Sequence, residues 1–187
     1  MKLMYVTSNM EKFNQAKNTC QQFGIELVQD KSHDFQEIQS ESGEEIALHK
    51  AAQAYALFKQ PLVISDDSWN IPGLGGFPGS YMKSVNQWFT SDDWLRLTKS
   101  LTDRRIILHQ VVVYQDADGP QVFVKDLVGT LQTKSKGISP HAHATITSLD
   151  GGKTTTAEWH ERGESASGDL QNPWHDFAKW YRARHTQ

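Results

Sequence analysis

Residues 2–28 read KLMYVTSNMEKFNQAKNTCQQFGIELV, and this stretch decides the class of fold. Its first part, residues 2–7, is a short apolar run typical of a buried strand. The Ser-Asn pair at 8–9 follows directly, and such side chains commonly accept the free N–H groups at the start of a helix. Apolar residues then recur at helical spacing until Gly24, and a second strand is predicted over residues 25–28. The order of strand, helix and strand indicates an α/β protein.

The rest of the chain repeats this alternation and then changes to a hairpin. Ser42 and Glu45 stand at the spacing of a capping box, which predicts the start of a helix. The further elements predicted are a helix over about 44–59, an apolar strand over 62–64, a helix near 87–100, a hairpin of strands 106–114 and 121–127, and a helix over about 173–184. The polar stretch 129–168 receives no assignment. Helices between strands, followed by a hairpin, favour a mixed sheet.

The composition is that of a folded protein. The chain has 187 residues, of which 37% are hydrophobic and six are Trp, so it can bury a substantial core. We expect a single domain over residues 1–187, which leaves room for two lobes. Lys and Arg total 19 and Asp and Glu total 22, which gives a net charge of −3. This balance excludes nucleic acid as the main partner and is compatible with a small anionic ligand bound by a few lysines.

The sequence carries no signal for secretion or for a membrane. Its single cysteine, Cys20, cannot form an internal disulfide bond, and a reducing, cytoplasmic location is expected. The apolar run at the N-terminus is too short for a signal peptide. No stretch approaches the roughly 18–20 apolar residues of a membrane span, so no membrane partner is expected.

Polar side chains surround the start of the first predicted helix. Thr7, Ser8 and Asn9 follow the strand, and Lys12 lies one turn into the helix. A helix N-terminus offers free N–H donors and the positive end of the helix dipole. Hydroxyl, amide and ammonium groups at this place suit phosphate groups. The alternative is an ordinary helix cap beside a solvated lysine.

Two adjacent carboxylates follow the apolar strand 62–64. Asp66, Asp67 and Ser68 stand where ligands bind in open α/β sheets, at the carboxyl end of a strand. Neighbouring carboxylates repel each other unless a cation or hydrogen bonds offset their charge. Oxygen ligands of this kind suit Mg²⁺, which takes one or two carboxylates together with substrate phosphates. The alternative is a turn in which one Asp caps the next segment.

Three further features have ordinary explanations when each is considered alone. Glu37 lies in a polar loop and resembles any surface acid. Lys50 lies among small apolar residues of the second helix, where a lysine can extend its charge to the surface. The glycine-rich segment 75–83 permits a close approach of backbone to a ligand, or forms a structural turn.

Taken together, these pieces resemble the inosine triphosphate pyrophosphatase (ITPase-like) family, which removes non-standard purine nucleotides. The family's T-G-N-x-x-K turn corresponds to Thr7 through Lys12, with Ser8 at the glycine position. Its loop acid, its helix lysine, its [DE]-D-[ST] turn and its L-G-G-x-P-G-x-Y-x-K segment correspond in order to residues 35–39, 49–51, 66–68 and 74–83. The resemblance covers about residues 2–130.

The resemblance implies an elongated α/β fold with a long curved mixed sheet and two lobes around a cleft. It implies Mg²⁺-dependent hydrolysis of a nucleoside triphosphate to a monophosphate and pyrophosphate, which clears purine nucleotides such as ITP and XTP. Asp67 would be the general base, and Glu37, Asp66 and Asp67 would hold the metal. The other substrate-binding residues implied are Thr7, Ser8, Asn9, Lys12, Lys50, Ser68 and Lys83. Family members are commonly dimers, so a homodimer is expected.

The second half of the chain departs from the family pattern. Residues 138–143 replace an aromatic-Asp-Pro motif, and residues 172–176 replace a Ser-His-Arg motif, both of which hold the purine base in the family. Gln15 stands where the family usually has Glu. The candidates for binding the base by stacking or hydrogen bonds are Trp174, His175, His141 and His143. The alternative for each of these side chains is packing in the core or on the surface.

Three other functions compete with this interpretation. The first is a pyrophosphatase with altered base specificity, since the base-binding motifs differ. The second is a nucleotide-binding protein without turnover, which the Gln15 substitution favours. The third is a phospho-acceptor receiver domain, but such domains carry their acidic pair after the first strand. Here the acidic pair follows the third predicted strand.

Overall fold

A computed structural model describes residues 1–33, 35–164 and 172–185, in which helices and strands alternate along the first half. This half contains β1 (Lys2–Val6), α1 (Met10–Gln21), β2 (Glu26–Asp30), α2 (Gly43–Phe58) and β3 (Leu62–Asn70). The second half contains β4 (Pro78–Gly79), α3 (Met82–Trp88), α4 (Ser91–Thr98), β5 (Arg105–Asp116), β6 (Gly119–Leu131), β7 (Thr147–Ser148), α5 (Thr156–Glu161) and α6 (Pro173–His185). No helix of this described part is long and apolar enough to cross a bilayer.

The strands form a mixed sheet, as the sequence predicts. Within the described residues the strand order is β2-β1-β3-β5-β6-β7, and β4 pairs with β3. The strand β1 is parallel to both β2 and β3, with Tyr5 opposite Val63 in the β1–β3 pair. The pairs β3–β4 and β6–β7 are antiparallel. The parallel pairs therefore come from the alternating first half, and each of these antiparallel pairs includes a strand of the second half.

The chain divides into two compact units. The first contains Met1–Asp67 and Gln110–Lys125 together with the C-terminal helix α6. The second contains Ser68–His109 and the described residues after Lys125 as far as position 164. The division falls between Asp67 and Ser68, within β3.

Two apolar clusters form the core of the first unit. One joins α1 and α6 to the sheet and includes Cys20, Phe177 and Val63. The other joins α2 to the sheet and includes Ala51 and Ile64. Successive side chains of a strand point to opposite faces, so Val63 and Ile64 of β3 contribute to different clusters. The small residues of α2 allow this helix to lie close to the strands.

The second unit has its own core around Trp94, which is fully buried. Ile106 and Leu131 of the two long strands pack in the same cluster. Arg104 donates hydrogen bonds to the carbonyl oxygens of Leu131 and Gln132, both at 2.8 Å. These bonds attach the start of β5 to the end of β6.

The structure corrects three boundaries. The third strand extends to Asn70, so Asp66 and Asp67 lie within β3 rather than in a turn after it. The single helix predicted near 87–100 is two helices, because Thr90 begins α4 with a capping box. The unassigned polar stretch contains α5, whose start is fixed by a second capping box at Thr155.

Candidate functional site

The two adjacent acids of β3 point toward different helices. Asp67 lies on the same face of the strand as Val63 and contacts Lys12 of α1, with Lys12 Nζ 3.2 Å from Asp67 Oδ2. Asp66 lies on the opposite face and has Lys50 of α2 nearby, with Lys50 Nζ 3.8 Å from Asp66 Oδ1. Each acid therefore forms its ion pair with a different lysine, because strand alternation separates the two side chains.

The start of α1 is capped by Asn9, and this cap positions Lys12. Asn9 Oδ1 accepts hydrogen bonds from the backbone N–H groups of Glu11 and Lys12, at 2.9 and 3.1 Å. Thr7 Oγ1 accepts from the backbone N–H of Asn9 at 3.2 Å, and Ser8 is exposed. The capping alternative is therefore correct for Asn9. The solvated-lysine alternative is wrong for Lys12, because this side chain is half-buried against Asp67.

The side chain of Lys12 keeps its proton, and therefore its positive charge, more firmly than an ordinary lysine. Burial alone would lower its pKa, but the negative charges of Asp67 and Asp66, with a smaller contribution from Tyr5, raise the pKa above its usual value. Lys12 consequently stays an ammonium ion at neutral pH. A fixed positive charge at a helix start suits a phosphate group that approaches from solvent.

Lys50 contacts Glu37, the acid predicted in the polar loop, and brings it close to Asp66. Lys50 Nζ lies 2.8 Å from Glu37 Oε1 as well as 3.8 Å from Asp66 Oδ1, so two carboxylates converge on one cationic position. Burial raises the pKa of Asp66, and the negative charges of Asp67 and Glu37 add to this effect. The positive charges of Lys12 and Lys50 lower the pKa but do not cancel the increase. A buried carboxylate of this kind gains from a nearby cation. The oxygen donors of Glu37 and Asp66 therefore fit a hard divalent ion such as Mg²⁺.

The three-carboxylate metal set expected from the sequence is not assembled. In the described part of the chain, no group of three His, Cys, Asp or Glu side chains is arranged to hold a metal ion. Glu37 and Asp66 share Lys50, whereas Asp67 is turned toward Lys12. The physical reason is again the alternation of β3, which the sequence reasoning did not apply to residues it placed in a turn.

Two of the other expected substrate-binding residues belong to the second unit. Ser68 is buried there, directly after Asp67 in the strand. Lys83 is exposed on the first turn of α3. Their predicted contact with a substrate stays a prediction.

Trp174, the first of the base-binding candidates, packs in the core. It is 2% exposed, and its ring centroid lies 4.9 Å from that of Tyr5 and 5.8 Å from that of Phe177. This packing corrects the expected stacking of Trp174 on a base, because both of its contacts are internal. His175 is half-buried, and its Nδ1 has no hydrogen-bond partner among the described residues.

The other two candidates lie in the second unit. His143 is buried, and its Nδ1 is 3.0 Å from Asn86 Oδ1. Its ring is edge-on to Trp69, with centroids 5.3 Å apart. His141 is exposed beside it, with ring centroids 6.2 Å apart. The ring of His143 is therefore used in packing, which is the alternative considered for it, whereas the ring of His141 is accessible to a ligand.

The buried His143 predicts a pH dependence of stability. Burial, with smaller contributions from His141 and His160, lowers the pKa of His143 to about 3. Between this value and the ordinary value near 6.5, the unfolded chain binds a proton that the folded chain excludes. Stability should therefore fall as the pH drops through this window, by up to about 1.4 kcal/mol per pH unit.

The measurement for His143 is denaturant unfolding of the wild type and of His143→Gln between pH 7 and pH 4. Gln retains a polar group for Asn86 but has no proton to bind in this range. The difference in unfolding free energy between the two proteins should change with pH. A difference that stays constant would contradict the buried neutral histidine.

Sequence reasoning missed two residues that contact the site. Gln110 of β5 donates its Nε2–H to Asp67 Oδ1 at 3.4 Å. The Tyr5 hydroxyl is hydrogen-bonded to Ser65 Oγ, on the same face of β3 as Asp67. A single glutamine inside the apolar strand predicted over 106–114 is the signal that could have identified Gln110.

Two carboxylates on a central strand, each paired with a lysine from a different helix, are the charged groups that this mixed α/β protein brings together. Comparison with known proteins specifies the class further. A model of the Ham1 family matches residues 3–166, and the chain belongs to this family. The family resemblance predicted from the sequence is thereby confirmed.

Relatives match along nearly the whole chain. The chain is 28% identical over 183 residues to a dITP/XTP pyrophosphatase of Methanopyrus kandleri, covering 97% of both proteins. It is 26% identical over 182 residues to a dITP/XTP pyrophosphatase of Pyrococcus horikoshii, again covering 97% of both.

Solved structures share the fold. A HAM1 protein from Coxiella burnetii superimposes with a TM-score of 0.76 at 15% identity, covering 98% of this chain and 99% of the other. The Staphylococcus aureus Ham1 protein gives a TM-score of 0.75 at 17% identity, covering 98% and 100%. At these identities the likeness is one of fold, and it confirms the mixed α/β architecture.

Proposed function

We propose that this chain is a nucleoside triphosphate pyrophosphatase that hydrolyses non-standard purine nucleotides such as dITP, ITP and XTP. The observation that carries the proposal is the pairing of Asp67 with Lys12, beside the second group of Asp66, Glu37 and Lys50. The relatives named dITP/XTP pyrophosphatase support the substrate class. Together, an acid able to accept a proton and two lysines able to bind phosphates suit hydrolysis of a phosphoanhydride.

The reaction needs a proton acceptor and neutralised phosphates. Water attacks the phosphorus at the α–β linkage, its proton passes to Asp67, and the bridging P–O bond breaks to release pyrophosphate. Lys12 and Lys50 lie where their charges can shift from carboxylate to phosphate as the substrate enters. A positioned general base contributes on the order of 10²–10⁴ in rate.

We propose Mg²⁺ as the cofactor, held by Glu37 and Asp66. The support is the convergence of these two carboxylates on the single position of the Lys50 ammonium group. When bound, Mg²⁺ neutralises charge on the phosphates and orients them. Asp67 is then left to accept the proton of the attacking water.

The proposal is tested by a substrate panel. The purified protein is incubated with dITP, ITP, XTP, ATP, GTP and dTTP, and pyrophosphate and orthophosphate are measured separately. We expect pyrophosphate from the first three nucleotides, its loss with EDTA and its recovery with Mg²⁺. Release of orthophosphate alone, or no hydrolysis of any nucleotide, would contradict the proposal.

A pyrophosphatase of altered base specificity is the second candidate. It is favoured by the core packing of Trp174 and by the contact of His143 with Asn86, which occupy two of the side chains expected to bind a base. In the same panel, this candidate predicts pyrophosphate from a different nucleotide. Tight nucleotide binding without hydrolysis would favour a binding protein instead.

Removal of Lys12 should weaken substrate binding. We expect Lys12→Ala to raise KM about 10- to 100-fold, the loss typical of one hydrogen bond to a charged group. The matched control is Lys17→Ala, which removes an exposed lysine from the same helix and should leave KM unchanged. An unchanged KM in Lys12→Ala would exclude a phosphate contact for this residue.

We also propose that the protein acts in the cytoplasm as a homodimer. The single cysteine of the chain, Cys20, is free and buried, which supports a reducing compartment. Trp88 supports an association surface, because its side chain on α3 is 73% exposed.

A further inference from the structure

Gln110 lies beside the proposed general base. It belongs to β5, which neighbours β3 in the sheet, and it lies on the same face as Val112 and Tyr114. The residue is only 3% exposed. Its Nε2 donates to Asp67 Oδ1 at 3.4 Å, and Lys12 Nζ lies 3.2 Å from the other oxygen of the same carboxylate. Both oxygens of Asp67 are therefore engaged, one by a helix and the other by a strand.

The oxygen of the Gln110 amide has no partner among the described residues. Gln110 Oε1 is buried and accepts no hydrogen bond from this part of the chain. A buried acceptor left in this state is destabilising, and a turn of the amide by 180° would not relieve it. The turned amide would place Oε1 against the negative oxygen of Asp67, so the carboxylate fixes the orientation of the amide.

The environment of Gln110 makes a purely structural role unfavourable. The residues that follow it, Val111, Val112 and Val113, are all buried and apolar. An apolar side chain at position 110 would fit this strand without an unpaired oxygen. Polar residues that cost stability are expected at functional sites, where their chemistry is needed.

We propose that Gln110 is a positioning residue that holds the Asp67 carboxylate in the orientation needed to accept a proton. This inference rests on the proposed function. When a phosphate group attracts Lys12, the hydrogen bond from Gln110 remains on Asp67. A reacting group that keeps its orientation avoids the loss of rate that follows from small misplacements.

The test replaces Gln110 by Met, which has a similar length and no amide. The expected result is a kcat about tenfold lower, with KM within about twofold of wild type and a melting temperature equal or higher. The matched control is Gln115→Met on the same strand, where the buried amide donates to the backbone oxygen of Asp116. This control should keep the wild-type kcat.

The outcomes separate the possibilities. An unchanged kcat in Gln110→Met, with an active wild type, would overturn the inference and leave the proposed function intact. Parallel losses of kcat and melting temperature would assign Gln110 a structural role and also overturn it. If Gln110→Met fails to fold, Gln110→Asn serves instead, because its shorter amide cannot reach Asp67, and the same kcat loss is expected. A wild type that releases no pyrophosphate would overturn the proposed function together with the inference.

Discussion

Replacing Asp67 by Asn lowers kcat for pyrophosphate release by about 10²–10⁴-fold, because the amide cannot accept the proton of the attacking water. The fold should survive the change. The Asn oxygen can still accept from Lys12, and the amide of Gln110 can turn so that its unpaired oxygen accepts from the Asn amide. Steady-state kinetics and thermal unfolding measure the two effects separately. We expect a large loss of kcat with a melting temperature near that of the wild type.

The control for this variant is Asp118→Asn, which removes a charge from an exposed carboxylate in the turn between β5 and β6. It should have full activity. Wild-type kcat in Asp67→Asn would remove Asp67 from the mechanism. A loss of kcat accompanied by unfolding would instead make the Lys12–Asp67 contact structural.

Truncation of Trp174 has the largest expected effect on stability. Trp174→Ala should reduce the free energy of unfolding by about 3–5 kcal/mol, since it removes a fully packed ring and leaves a cavity. The side chain joins Tyr5 of β1 to Phe177 of α6, so its loss should loosen the docking of the last helix. Denaturant unfolding followed by circular dichroism measures the change.

Two further variants make the Trp174 prediction specific. Leu57→Ala truncates an apolar side chain at an exposed position of α2 and should change the unfolding free energy by less than about 0.5 kcal/mol. Trp174→Phe retains a ring, and we expect it to keep the wild-type KM. A raised KM in Trp174→Phe without a loss of stability would restore Trp174 as a residue that stacks on the base.

Local signals predicted the first half of the fold well. The helix α1 begins at Met10 after a side-chain cap, and α2 begins at Gly43 after Ser42, as the capping patterns indicate. In α2 only half of the predicted capping box forms. Ser42 Oγ accepts from the N–H of Glu45, whereas the Glu45 carboxylate accepts from Ser40 Oγ. Caps depend on neighbours within one turn, which is why sequence alone can find them.

Contacts between distant elements were beyond such reasoning. The sequence motifs identify Lys12, Lys50, Glu37 and the two strand acids as site residues. They do not show which lysine contacts which acid. The pairing depends on the face to which each acid of β3 points, and this required the strand to continue through Asp67. The sequence predicts that the strand ends before the charged residues. Ion pairs with α1 and α2 allow it to continue, and these are tertiary contacts.

The alternation of β3 also couples the register of the sheet to the chemistry of the site. Tyr5 stands opposite Val63, and this pairing keeps Val63 in one core cluster and Ile64 in the other. A slip of one residue would invert both the core and the acids, so that Asp67 would meet α2 and Asp66 would meet α1. Misfolded chains of this kind would lose the core packing and the ion pairs of both acids together. Selection for a stable core therefore protects the placement of the proposed catalytic acids as well.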